Sequence, residues 1–326
     1  MLLRRVVFYL VTGWIAVTLN FLIPRLMPGD PAQVVLQKLE QQQQVSPGTQ
    51  AAIEALFGTP HQSLWRQYGA YLHHLAHLDF GVSTFYFPTP VSTVIADGLP
   101  WTLALVGVTT ALAFLLGTGI GIVAGIRPGS RLDSILAPLA TVAGSLPYFW
   151  VATILVLVFA ITFRLFPAQN GADLSLDPGL RWPFLSSAVA HAVLPAATII
   201  LSSIGGWILG MRNMMVTTVA EDYVLLAEAK GLARWRVMLG YAARNAMLPQ
   251  VSGLAIALGS VVGGSLLAEI VFAYPGVGYL LEQAVVNLDY PLMQALFLII
   301  SLSVLAANFL ADSVYVLLDP RTREPA

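Results

Sequence analysis

Six long apolar runs divide this chain, at residues 6–23, 99–126, 135–163, 185–211, 251–273 and 292–318. Each can cross a hydrocarbon core, which takes about 20 helical residues. Lipid offers backbone groups no hydrogen-bond partners, and the runs are too long for barrel strands, so the pattern predicts membrane-spanning helices. The expected fold class is an all-α integral membrane protein with six transmembrane helices. The first run has the look of a signal peptide, but no small-x-small cleavage site precedes Pro24, and a retained anchor is expected.

Between the first two runs lies a long segment. Met27-Pro28-Gly29-Asp30-Pro31 predicts a rigid exit turn. The first part of the segment, from about Ala32 and including Gln41 to Gln44 and Ser46-Pro47-Gly48, reads as a polar, mobile stretch. From Ser63 onward the pattern changes: Leu64, Tyr68, Tyr71, Leu72, Leu75 and Leu78 recur at helical spacing. An amphipathic helix ended by Asp79-Phe80-Gly81 is expected there, followed by an aromatic interfacial belt at Phe85-Tyr86-Phe87-Pro88. The second run carries Gly117, Gly121 and Gly125, a spacing that lets another helix approach closely. Ser145-Leu146-Pro147 predicts a kink in the third. Polar loops follow at 164–184 and 274–291, and no internal repeat is visible. The expected organisation is a first transmembrane helix (1–24), a helical extracytoplasmic cap (25–98), a five-helix core (99–318) and a cytoplasmic tail (319–326).

Composition agrees with a place in lipid: 57% of residues are hydrophobic and 10% charged, against about a quarter charged in soluble domains. The net charge of −1 says nothing about partners. Its distribution says more. With the N-terminus inside, that side holds Arg4, Arg5, Arg127, Arg131, Arg212, Lys230, Arg234, Arg236, Arg244, Arg321 and Arg323. The other side holds Arg25, Lys38, Arg66, Arg164 and Arg181, so the positive-inside rule predicts both termini in the cytoplasm. There are no cysteines, which excludes disulfides, thiolate metal sites and cysteine nucleophiles. No GxxxxGK[ST] phosphate loop is present, and no nucleophile–base arrangement is visible.

Residues 221–249 interrupt the apolar pattern with a polar, basic island. A short helix is expected from Tyr223 to Lys230, with Glu221 and Asp222 at its positive end. Lys230-Gly231 reads as a stop, a cation in the last turn followed by a left-handed glycine. A basic amphipathic helix should then run from Ala233 to Asn245, and Leu248-Pro249 should open the fifth membrane helix. Two readings fit: a helix resting on anionic headgroups, or a handle offered to a soluble partner.

Ala227-x-Ala229-Lys230-Gly231-Leu232, followed by Arg244-Asn245-Ala246-x-Leu248-Pro249, resembles the EAA-type loop of ABC importer permeases. It is most similar to the version in the dipeptide, oligopeptide and nickel group. Further matching segments run in order: Pro28-Gly29-Asp30-Pro31, Gln67-Tyr68, Asp79-Phe80-Gly81-x-Ser83 and Leu99-Pro100-x-Thr102-Leu103. Ser145-x-Pro147-x-Phe149, His191-x-x-Leu194-Pro195-Ala196 and Glu269-x-Val271-Phe272-x-x-Pro275-Gly276-x-Gly278 continue the series. Asp289-Tyr290-Pro291 and Asp319-Pro320-Arg321-x-Arg323 end it. The resemblance implies a plasma-membrane permease subunit of an ATP-driven importer working by alternating access. Its implied partners are a second related permease, two cytoplasmic ATPase subunits, an extracytoplasmic solute-binding protein and membrane lipid, with no nucleic acid. ATP and Mg would be held by the ATPases, and this chain would bind no cofactor and catalyse nothing. Ala227, Glu228, Ala229, Lys230, Gly231, Leu232 and Arg234 would form the ATPase contact. Glu269, Phe272, Pro275, Gly276 and Gly278 would belong to a receptor-facing gate. The resemblance implies oligopeptides or similar oligomeric solutes as the substrate, with oligosaccharide and then nickel as alternatives, since the loop at 170–182 and the glutamine-rich stretch depart from the group pattern.

Other residues invite chemistry more weakly. His73, His74 and His77 form an HHxxH cluster able to hold a metal, although a solvated helix face explains it as well; no metal site is expected. Glu269 and Asp312 are acidic groups near helix ends, where Glu269 could position the turn at 272–278. Trp101, Trp150 and Trp182 read as interfacial anchors. An ion-driven secondary transporter would need paired broken helices and a midplane ionisable site, and neither is evident.

Overall fold

The computed structural model describes residues 2–26, 31–42, 46, 48, 53, 63–259, 261 and 266–318. The expected exit turn at Met27 to Asp30, Gln43, Gln44 and Pro47, the tail 319–326 and the side chain of Asp312 lie outside them. In order, the helices are α1 (Leu2–Leu26), α2 (Pro31–Gln42), α3 (Leu64–Ala76), α4 (Val91–Gly125), α5 (Arg131–Ser145), α6 (Tyr148–Leu155) and α7 (Trp182–Val219). They continue with α8 (Asp222–Ala229), α9 (Arg234–Val237), α10 (Arg244–Gly259), α11 (Leu266–Val271), α12 (Val277–Val286) and α13 (Tyr290–Leu318). π-helical turns at Val156–Thr162 and Met238–Ala243 extend α6 and join α9 to α10. The described residues are all-helical apart from turns and one isolated bridge, Val82 to Pro90.

Four stretches among the described residues are long and apolar enough to span a membrane: Val6–Leu26, Val91–Gly125, Trp182–Val219 and Tyr290–Leu310. The pair Arg131–Ser145 and Tyr148–Thr162 passes jointly, but bends by 95°. The sequence predicted a kink there; the structure shows a break. Leu146 is extended, as the residue before a proline prefers, and Pro147 has no N–H to carry the helix on. The Ser145 hydroxyl turns back to the Thr141 carbonyl at 2.7 Å. Helices α4 and α7 also outrun their apolar cores, with 35 and 38 residues. At 1.5 Å per residue they reach about 50–57 Å, well beyond a core about 30 Å thick.

The chain divides into two compact units. The first comprises Met1–Thr102 and Pro275–Ala306, the second Leu103–Tyr274 and Ala307–Ala326. In the first, α2 corrects the expectation of a polar, mobile stretch. Pro31 opens this helix, where its missing N–H costs nothing, and Ala32, Val35 and Leu36 bury together with Ile53. Helix α3 falls where the spacing predicted and docks on α1 through a polar and aromatic seam. The Thr18 hydroxyl meets the Tyr68 hydroxyl at 2.7 Å, and Arg25 Nε donates to Gln67 Oε1 at 3.1 Å. Phe21 packs between the Tyr68 and Tyr71 rings, under the Arg25 guanidinium. Asn20 Nδ2 donates to the Gln294 carbonyl at 2.6 Å, which ties α1 to α13.

In the second unit α4 lies along α7. A Cβ at Gly117 would meet Trp207, one at Gly121 would meet the Ile208 carbonyl, and one at Gly125 would meet Met215. The close approach anticipated for these glycines is therefore to α7. Helix α5 crosses the same helix through Gly205, where a Cβ would strike the Ala140 carbonyl.

Candidate functional site

Helix α7 continues past the apolar run to Val219, and the turn Ala220–Glu221 then starts α8. Glu221 is extended at its N-cap and Asp222 sits in the first turn, where negative charge suits the helix dipole. The helix stops as the sequence predicted. Gly231 takes φ +76, a left-handed conformation costly for any residue with a Cβ. Its N–H donates to the Glu228 carbonyl at 2.9 Å, and Lys230 N–H donates to Leu226 at 3.1 Å.

Helix α9 begins at Arg234 and runs without a break through the π-helical turn into α10. Pro249 therefore lies inside α10 and does not open a new helix, contrary to the expectation. Interior proline is tolerated in membrane helices where nearby groups re-satisfy the backbone.

Beneath the island lies one apolar cluster. Val224 and Ala227 of α8 bury against Met211 and Met215 of α7 and against Val237, Met238, Ala242, Ala243 and Ala246, with Leu232 packed at the margin. Ala227, 3% exposed, is thus an anchor of α8 beneath its surface. Glu228, Ala229, Lys230, Gly231 and Arg234 are exposed. Beside them stand residues that sequence reasoning did not single out: Tyr223, Leu225, Leu226 (56% exposed) and Trp235 (64% exposed). Arg236 lies 5.5 Å from the Trp235 ring. The island therefore exposes large apolar side chains of α8 and α9 together with Lys230, Arg234 and Arg236, while its buried side is a packed core shared with α7 and the α9–α10 helix. The signal for the exposed apolar residues was their adjacency to the basic ones, hidden because they read equally well as core.

A second missed feature lies just below. Arg212 Nε and Nη2 donate to Asp133 Oδ1 and Oδ2 at 2.8 and 2.7 Å, a bidentate fork. Asp133 Oδ2 also accepts the Gly129 N–H at 2.8 Å, and the Ser130 hydroxyl accepts the Asp133 N–H at 3.3 Å as the N-cap of α5. Ser130-x-x-Asp133 was legible as a capping pattern; its pairing with a residue 79 positions away was not.

The remaining candidates divide. Glu269 and Phe272 are buried in the second unit, where the Phe272 carbonyl accepts the Asn170 N–H at 3.0 Å and so pins the loop that holds Asn170. Pro275, Gly276 and Gly278 belong to the first unit, where Thr102 Oγ1 accepts the Val277 N–H at 2.7 Å. His73, His74 and His77 are exposed on α3 and the turn after it. His74 Nδ1 lies 3.0 Å from Asp79 Oδ2, and the His73 and His77 rings sit 4.5 Å apart. No group of three or more potential metal ligands occurs among the described residues. The Gly81 N–H and then His74 hold the Asp79 carboxyl below the usual carboxylate range. Trp150 and Trp182 are exposed and Trp101 is half-buried.

Residues 117–324 match the family described as binding-protein-dependent transport system inner membrane component. The chain is 33% identical over 325 residues to a Brucella abortus (strain 2308) protein described as a peptide transport system permease, covering 99% of this chain and 98% of that one. It is 29% identical to the oligopeptide transport system permease protein AppB of Bacillus subtilis, over 93% of this chain and 92% of the relative. It is also 29% identical to the dipeptide transport system permease protein DppB of Escherichia coli, over 94% and 93%.

Proposed function

This chain belongs to the family of binding-protein-dependent transport system inner membrane components, multi-pass proteins of the inner membrane, and we propose that it is the permease subunit of an ATP-driven peptide importer. Relatives aligned over almost its whole length carry peptide, oligopeptide and dipeptide transport in their names, which favours peptides over oligosaccharides or nickel. The apolar runs and the charge asymmetry support six spans with both termini inside, of which four, or five with the bent pair, are long apolar helices among the described residues. A second related permease would pair with it, two ATPases would sit beneath, and a solute-binding protein would dock above. ATP chemistry belongs to the ATPases, and this chain supplies no catalytic group and no cofactor.

One observation carries the mechanism: the island exposes large apolar side chains together with basic ones while its buried side packs on α7 and the α9–α10 helix. A partner closing on Tyr223, Leu225, Leu226 and Trp235, steered by Lys230, Arg234 and Arg236, would move both long helices with it. Rigid-body rocking of these helices would then switch access from one side of the membrane to the other. Glu269 and Phe272 with the loop pinned by Asn170, and Pro275, Gly276 and Gly278, would serve the outer, receptor-facing side. The test is uptake of labelled di- to pentapeptides in a strain carrying the importer with this chain deleted or restored. Restored uptake, competed by peptides and not by oligosaccharides, supports the reading; uptake competed by oligosaccharides alone overturns the substrate.

A further inference from the structure

We propose that Asp133 and Arg212 are positioning residues for energy coupling: their fork carries motion of the island to the inner ends of α4 and α5. The inference rests on the island being the ATPase contact. Arg212 stands where three elements meet. Its side chain grips Asp133 at the start of α5 through two parallel hydrogen bonds. Its backbone lies against α4, where a Cβ on Gly121 would come within 3.1 Å of Arg212 N and one on Gly125 within 3.1 Å of Arg212 O. Its neighbour Met211, and Met215 one turn on, are fully buried in the island cluster.

A displacement of α8 therefore reaches Arg212 through packed methionines, and leaves it along two routes. The α4 route is steric. The α5 route depends on the fork, because a planar guanidinium on a carboxylate fixes orientation as well as distance, which an ammonium point charge does not. Asp133 is held from its other side too, by the Gly129 N–H, so the loop Arg127–Arg131 moves with it. Partly desolvated pairs of this kind add little net stability over packed apolar groups. Their contribution here is a stiff joint.

The test uses the complete importer, with both permeases, the ATPases and the binding protein, reconstituted in vesicles. ATP hydrolysed and peptide imported are measured together for Arg212→Lys, Asp133→Asn and the double variant. Assembly and hydrolysis should persist, uptake should fall roughly tenfold, a mid-range coupling effect, and the double variant should be no worse than either single. An unchanged ratio of ATP to peptide overturns the proposal, as does failure of both single variants to assemble, which would make the pair a folding staple. Leu226→Glu serves as a separate control. If that variant still binds the ATPases and imports normally, the island reading fails; if it fails while the ratio stays normal in Arg212→Lys, only the fork does.

Discussion

Ser83 donates its hydroxyl to the carboxylate of Asp289, 206 residues later in the chain, and both side chains are wholly buried. The same carboxylate accepts the Phe85 N–H at 3.0 Å and, through its other oxygen, caps α13 at the Leu292 N–H, 3.2 Å away. Ser83 Oγ in turn accepts the Tyr86 N–H at 2.9 Å. Two segments that matched the importer group separately, Asp79-Phe80-Gly81-x-Ser83 and Asp289-Tyr290-Pro291, are thus halves of one knot.

Asp289→Ala removes the acceptor of the buried Ser83 hydroxyl and of the half-buried Phe85 N–H, and with them a helix cap. Losing the acceptor of the buried Ser83 hydroxyl costs about 1–3 kcal/mol and losing the cap about 1. The variant should therefore lower the melting temperature of the solubilised complex more than Ser83→Ala does. Equal shifts would contradict the knot.

The glycines of the α4–α5–α7 contact can be tested against their neighbours. Gly205→Ala drives a methyl into the Ala140 carbonyl, whereas a Cβ at Gly206 meets nothing within 4 Å. The first should destabilise by about 1–3 kcal/mol, as overpacking does. The second should be neutral or stabilising by up to about 1 kcal/mol, through helix propensity. Thermal unfolding of the two variants decides.

Gly231 occupies the left-handed region with open space around its missing Cβ, so the cost of substitution is conformational rather than steric. Gly231→Val should strain the stop by at least about 1–2 kcal/mol. It should reduce peptide uptake while ATP hydrolysis continues and membrane insertion is normal. Gly231→Asn, which visits this region more readily, should retain most uptake. Unchanged uptake in the valine variant counts against the stop as part of the coupling element.

The turn after α3 should respond to acid. Gly81 N–H donates to Asp79 Oδ1 at 3.0 Å, and this bond with that of His74 depresses the Asp79 pKa. A carboxylate with a depressed folded pKa contributes its stability above the unfolded value and loses it as pH falls through the folded one. Protection of the Gly81 amide, corrected for intrinsic exchange, should thus fall only below about pH 4, the ordinary carboxylate range. Asp79→Ala should lack both the protection and its pH dependence.

Local features were legible in the sequence: the α3 spacing, the Gly231 stop, the glycine face of α4. Each depends on residues within a turn or two of one another. What was not legible depends on distance or on how a proline is accommodated. Pro147 and Pro249 look alike in sequence, yet one accompanies a 95° bend and the other sits within a continuous helix. Helix α2 was obscured by its glutamines, although Ala32, Val35 and Leu36 already had helical spacing. The Asp133–Arg212 and Ser83–Asp289 pairs required the fold itself. The island's exposed apolar side chains required knowing which of its apolar residues the core had already taken.

The most direct measurement is co-purification of the tagged chain from its native membranes. The account predicts that a second permease and ATPase subunits come with it. Leu226→Glu combined with Trp235→Glu should lose the ATPases and keep the second permease. A chain that purifies alone and takes up solute on an ion gradient, or a double variant that retains its ATPases, would contradict it.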